Sequence, residues 1–171
     1  MALVTNNPTI TLEAAAKAIR VALGSAQELG VKVSIHVLDQ AGLDKCFVRM
    51  DGSPIIAQEA SRRIAYTALL GRSTKHLAAT YKDDQAVRDH LGHNCNTSLL
   101  QGGHPFITAA GDVLGSIGVA GATEQDNELV ALAAVQSVEE QYKQELVTGG
   151  AAENWLQKKE VDRFLRHWSL D

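Results

Sequence analysis

Aromatic residues are scarce in this chain, with three Phe, three Tyr and two Trp making up 5% of it. That is too few for the broad stacking platforms that hold single-stranded nucleic acid. Cysteine is scarcer still. Cys46 and Cys95 stand apart in no close-spaced motif, so both are expected to be free thiols. A surplus of positive charge is also missing. Sixteen Lys and Arg face twenty Asp and Glu, a formal charge of −4, which argues against a large nonspecific nucleic-acid surface. No apolar run approaches the length of a membrane span. The N-terminus lacks the basic segment and apolar core of a secretory signal, so the cytoplasm is the expected location. A P-loop, a GxGxxG fingerprint, a His-Glu-x-x-His zinc motif and a Gly-x-Ser-x-Gly elbow are all absent. What is present is ordinary globular material: 171 residues, 45% apolar and 21% charged, enough for one domain with a substantial core.

The spacing predicts a helix from Thr11, its cap, to about Leu29. Leu12, Ala15, Ala16, Ile19, Ala22, Leu23, Ala26 and Leu29 form its apolar face. Val31, Val33, Ile35 and Val37 then alternate as a half-buried strand. Asp39 to Gly42 makes a turn, and Leu43 to Arg49 returns. Ser53 and Pro54 read as cap and first residue of a helix running to Ala68. Shorter helices are expected from Ser73 or Thr74 and from about Asp84 to Leu91. Gln101 to Thr123 reads as a Gly-rich hairpin turning at Ala110-Gly111-Asp112. It leads into a long helix over about Glu124 to Leu146, with Leu129, Leu132, Ala133, Val135, Val138 and Tyr142 on its apolar side. Gly149-Gly150 ends that helix. The division expected is a domain over residues 1–147 and a helical extension over 148–171 carrying Trp155 and Trp168, packed on the domain or on a neighbouring subunit. This order of elements supports an α/β layer fold with a largely antiparallel sheet packed by helices.

The hairpin carries a further signal. Gly102-Gly103-His104-Pro105, followed by Gly115-Ser116-Ile117-Gly118-Val119-Ala120-Gly121-Ala122-Thr123-Glu124-Gln125-Asp126, resembles the GlcG/HbpS family of haem-degrading or haem-binding domains (DUF336). It also resembles the C-terminal domain of some PduO-type proteins. Val37 to Gly42, Arg49 to Gly52 and Ala65 to Ala68 agree in the expected order, and the resemblance covers about Thr11 to Glu140. It implies a profilin- or PAS-like fold and assembly as a homo-oligomer. Some relatives bind haem, so haem is a possible cofactor by resemblance; others sit among genes for small-molecule metabolism. Two positions depart from the family pattern. His104 stands where an apolar residue is common, and Ile64 where many relatives have Lys.

His104 is the leading candidate for chemistry. An imidazole beside a glycine pair suits proton transfer to a bound molecule, or ligation of a metal or haem iron, while a plain strand histidine bonded to backbone would also fit. Arg49 and Arg62 are candidates to hold a carboxylate or a haem propionate, with Glu59 adjusting charge and Tyr66 donating a phenolic hydrogen bond. Glu59 and Arg63, four residues apart, can equally be a surface ion pair. Gly102, Gly103 and Thr123 are candidate ligand-binding positions, although Thr123 is also a natural helix cap. His90, His93 and Cys95 are the one local cluster with metal-type donors; their spacing matches no zinc motif, and no metal site is assigned.

The reading that results is an oligomeric binder of a small organic ligand, neither nucleic-acid-binding nor membrane-bound. An acid–base enzyme of isomerase, lyase or hydratase type, with His104 acting on a small carbonyl or carboxylate compound, fits it. A haem-binding or haem-handling protein and a structural or regulatory interaction domain are the alternatives. The residues leave open whether the chain is an enzyme. All of these functional readings require the hairpin and the Arg49 to Tyr66 region to face one cavity, within the chain or completed by another protomer.

Overall fold

Thr11 starts the first helix by accepting the Ala14 amide on its hydroxyl at 3.2 Å, and Leu12–Glu28 follow as α1. In this computed structural model, residues 7–93, 96–108 and 110–148 are described, 143–148 as backbone alone. Ser34–Asp39 form β1 and Asp44–Arg49 form β2, joined by a turn in which the Asp39 carboxylate accepts the Ala41 and Leu43 amides. Three helices come next: α2 over Ile55–Ala68, α3 over Thr74–Thr80 and α4 over Gln85–His93. The hairpin supplies β3, Gly103–Ile107, and β4, Val113–Ala120, before α5 over Glu124–Thr148. The four strands make one antiparallel sheet in the order β2-β1-β4-β3. β3 is therefore an edge strand, where Pro105 removes no ladder bond.

Register decides which side of the sheet each residue occupies. Ile35 pairs with Val119, Val37 with Ile117, and these four side chains join Ala15, Ile19, Val130 and Ala134 in the main core. α1 and α5 thus cover one face. The other face presents Ser34, His36, Ser116 and Gly118 to α2, with Ser116 donating to the Ala65 carbonyl at 2.7 Å and Ser34 meeting Ser53 at 3.0 Å. The α/β expectation with a largely antiparallel sheet holds, and the layers are helices, sheet, helices.

Several local expectations change. Ser53 does not cap α2; its buried hydroxyl is committed to Ser34, and Pro54 takes the cap position without a side-chain bond. A buried hydroxyl must find a partner, whereas a first turn of α2 facing water does not depend on a side-chain cap. Val31 and Val33 precede β1 rather than belonging to it. The buried stripe of α5 is Asn127, Val130, Ala131, Ala134 and Val135, and Leu129 is 51% exposed. Small residues let α5 lie close on the sheet, which rotates the larger leucines outward. α4 continues through Gly92 to His93.

The chain divides into two compact units, Met1–Glu139 and Glu140–Asp171. The expected terminal helix with Trp155 and Trp168, and Cys95, lie outside the described residues; Cys46 is a free thiol. No helix among the described residues is long and apolar enough to cross a membrane.

Candidate functional site

The glycines of the hairpin are explained by packing. A Cβ on Gly118 would collide with the Ser61 carbonyl and the Ala65 amide, both backbone atoms of α2. A Cβ on Gly103 would lie 2.6 Å from the Thr74 methyl and 2.8 Å from the Ile64 carbonyl. The approaching group at these glycines is therefore the helical layer itself. Gly102 adopts φ +120° and would clash with the Val119 carbonyl and Asn127 if it carried a side chain. Gly102 and Gly103, expected as ligand contacts, are filled by the fold. Thr123 accepts the Asp126 amide at 3.2 Å and donates to the Asp126 carboxylate at 2.7 Å, which is a capping arrangement for α5.

His104 lies opposite Ile117 in the β3–β4 register and so projects on the α1/α5 face. There its Nε2 comes within 3.0 Å of Glu128 Oε1, the two side chains being only 14% and 12% exposed. The contact has ion-pair distance but lacks the alignment of a hydrogen bond, and His104 Nε2 and Glu128 Oε2 are both buried without a directed partner. Burial alone would push the Glu128 carboxyl up. The His104 ring, the Gly102 backbone amide and the Lys75 ammonium outweigh it and hold the carboxyl below its ordinary 4.5. Glu128 was not among the expected site residues. It sits in the second turn of α5, and nothing in the local pattern links it to a strand 24 positions earlier.

The expected partners of His104 are elsewhere. Arg49 pairs across the ladder with Ser34, on the α2 side, and its guanidinium donates to the Ser53 carbonyl at 2.9 Å. Arg62 reaches Asp44 at 3.3 Å, and Glu59 binds Arg63 at 3.0 Å as a neighbour one turn away. Tyr66 packs its ring over Gly42 in the β1–β2 turn and stays 41% exposed. These residues lie on α2 or face it, while His104 faces α5 through the other side of the sheet. Within one chain the hairpin histidine and the basic corner do not share a cavity.

The α2 side holds a histidine of its own. His36, 5% exposed, stacks on Phe47 with ring centroids 4.2 Å apart, and its Nδ1 lies 2.8 Å from Ser61 Oγ. Ser61 donates its one proton to the Gln58 carbonyl at 2.9 Å, so Nδ1 carries the proton shared with Ser61. Burial, assisted by Arg62 and opposed by Asp44 and Glu59, pushes the imidazole down to about 4. His36 is accordingly a neutral, bonded core histidine. His76, His90 and His93 are exposed on α3 and α4. Among the described residues no group of three or more His, Cys, Asp or Glu could hold a metal ion; Cys95 lies outside them. A shallow groove of about 350 Å³ between α1 and α5 is walled by Leu29, Leu129, Leu132 and Ala133, with Glu28 and Gln136 at its rim.

Residues 10–136 match the family model described as "Haem degrading protein HbpS-like". The chain belongs to the HbpS-like family. Among solved structures, HbpS itself is 34% identical, covering 79% of this chain and 94% of its own, with a TM-score of 0.72. The Klebsiella pneumoniae protein ORFY, assigned to DUF336, is 26% identical over 81% of this chain and 96% of its own, with a TM-score of 0.75. A complex of PduOC with haem is 20% identical over 75% of this chain and 94% of its own; its TM-score of 0.68 shows a shared fold.

Proposed function

We propose that this HbpS-like chain binds and handles haem. The observation that carries the proposal is the 34% identity to HbpS across nearly all of that protein, within a family model described by haem degradation. Bound haem would supply the redox chemistry of its iron, and the protein would supply a donor side chain and an apolar surface. The groove between α1 and α5 offers apolar walls, but its lining contains no His, Cys, Met or Tyr. Imidazoles are available elsewhere: His104 on the edge strand, and His76, His90 and His93 on exposed helices. The His104 ring is turned to Glu128, 3.0 Å away, with its Nε2 buried, and does not line this groove.

The acid–base reading on a carbonyl or carboxylate compound finds less support. Its anion-gripping residues, Arg49 and Arg62, are engaged with Ser53 and Asp44 on the face opposite His104. Glu59 is occupied by Arg63.

The test is purification of the full chain from cells supplied with a haem precursor, followed by absorption and native mass spectrometry. The expected outcome is a Soret band together with a mass increment that denaturation releases as haem. Protein that emerges colourless, and stays so after incubation with haemin, would remove the proposal.

A further inference from the structure

The outer side of α2 does not have the composition of a solvated helix face. Ala57, Ser61, Ile64, Ala65 and Ala68 are its buried side. On the opposite side Ile56, Glu59, Arg63 and Tyr66 recur at spacings of three and four, so they form one stripe along the helix, and Leu70 follows just beyond its last turn. Ile55 and Ile56 are 88% and 74% exposed, and Tyr66 and Leu70 also reach water. Single exposed apolar side chains are ordinary on a protein surface, whereas a row of them marks a contact surface. Tyr66 is already ordered for such a contact, since its ring lies against Gly42 in the β1–β2 turn.

The order of the stripe indicates what covers it. From Ile56 through Glu59 and Arg63 to Tyr66 the intervals are three, four and three. The row is therefore apolar, charged, charged, apolar from either end, and its two charges are opposite in sign. Laid antiparallel on a second copy about a two-fold axis level with residue 61, it sets Glu59 against the partner's Arg63 and Arg63 against the partner's Glu59. The same operation sets each Ile56 against the other copy's Tyr66. A parallel placement would instead bring like charges together. Glu59 and Arg63 already meet within the chain at 3.0 Å, and both side chains stay well exposed, with donors and acceptors to spare for a second bond.

We infer that the outer face of α2 is a self-complementary docking surface for a second copy of this chain. Burial of the Ile56 and Tyr66 ends stabilises the pair, and the central charges set its direction and register. The pairing does not depend on haem. It lies on the α2 side of the sheet and leaves the groove between α1 and α5 uncovered by the partner's helix.

The experiment is sedimentation velocity of the full chain over a concentration series, with native mass spectrometry of mixtures, on the parent, Glu59→Arg, Arg63→Glu and Ile56→Asp. All three side chains are exposed in the single chain, so each variant should keep its fold, which circular dichroism checks. The parent is expected at twice the mass of one chain or an even multiple of it. Each charge reversal opposes like charges at two contacts and should weaken association by roughly 10–100-fold. Mixing Glu59→Arg with Arg63→Glu restores opposite charges at both contacts, so a mixed dimer should form from two proteins that associate poorly alone. Ile56→Asp should dissociate the pair and gain nothing from mixing with either. A parent that stays a single chain at every concentration would overturn the inference. An assembly that survives all three substitutions would also overturn it, as would charge reversals that weaken association without recovery on mixing.

Discussion

Replacing His36 by Asn should flatten the acid limb of this protein's stability curve. His36 is held neutral beneath α2 and takes up a proton only near pH 4 in the folded chain, against an ordinary 6.5. Between those values the unfolded chain binds more protons, so stability falls as pH drops from about 6.5 to about 4 and is unaffected by this group below that. The full difference corresponds to a ceiling of about 3 kcal/mol at roughly 1.4 kcal/mol per pH unit. Part of it is screened, because the neighbouring charges of Asp44 and Arg62 and the covering Phe47 reach solvent, so about 1–2 kcal/mol is expected. Asn can place its amide nitrogen near the position of Nδ1 and still donate to Ser61. The lost stack on Phe47 lowers stability by an amount that does not depend on pH. Urea unfolding of both proteins at pH 7, 5.5 and 4, followed by far-ultraviolet circular dichroism, isolates the pH-dependent part. Glu128, which loses its contribution below its ordinary 4.5, does so in both proteins and cancels. The variant should lose about 1–2 kcal/mol less than the parent between pH 7 and pH 4. Parallel curves would refute the account of a buried neutral imidazole.

Gly118→Ala should cost about 3 kcal/mol or more, or prevent folding, because its methyl meets α2 backbone that cannot swing aside. Gly24→Ala, in α1 with nothing near the added methyl, should instead stabilise by up to about 1 kcal/mol; thermal melts of the two variants separate the cases. Thr123→Ala removes the cap of α5 and should cost about 1 kcal/mol in denaturant unfolding. Glu59→Gln breaks only an exposed ion pair with Arg63 and should change stability by less than about 0.5 kcal/mol. The same variant should leave haemin affinity unchanged by titration; a large loss there would return the α2 corner to the binding site.

Features written in a few adjacent residues were legible in the sequence. The Thr11, Ser73 and Thr123 caps need only their own first turns, and each is observed. The alternation of Ile35 and Val37 marks one buried face of β1, and the glycine-bounded hairpin marks β3 and β4. What remained hidden depends on approach between distant segments. Gly103 was expected as a ligand contact because nothing adjacent in sequence reveals α2 lying against it. Ser53 looked like a cap because nothing nearby in sequence revealed Ser34 as its partner. On α5 the expected Val135 and Val138 do meet the core, but Leu129 does not, because leucines carry more weight than alanines in an apolar pattern while close packing on a sheet selects Ala131 and Ala134. Glu128 could not be named from spacing, since its relation to His104 exists only once α5 crosses behind β3. The expected common cavity failed for a parity reason. Arg49 and His104 belong to opposite alternations of one sheet, and that phase is fixed by pairing rather than by composition.

An equilibrium titration of the purified full chain with haemin, read in the Soret region and repeated with an unrelated protein of similar size and charge, bears most directly on the central claim. A saturable, shifted Soret band with defined stoichiometry is the predicted result. A linear, nonsaturating response matching that of the control would contradict it.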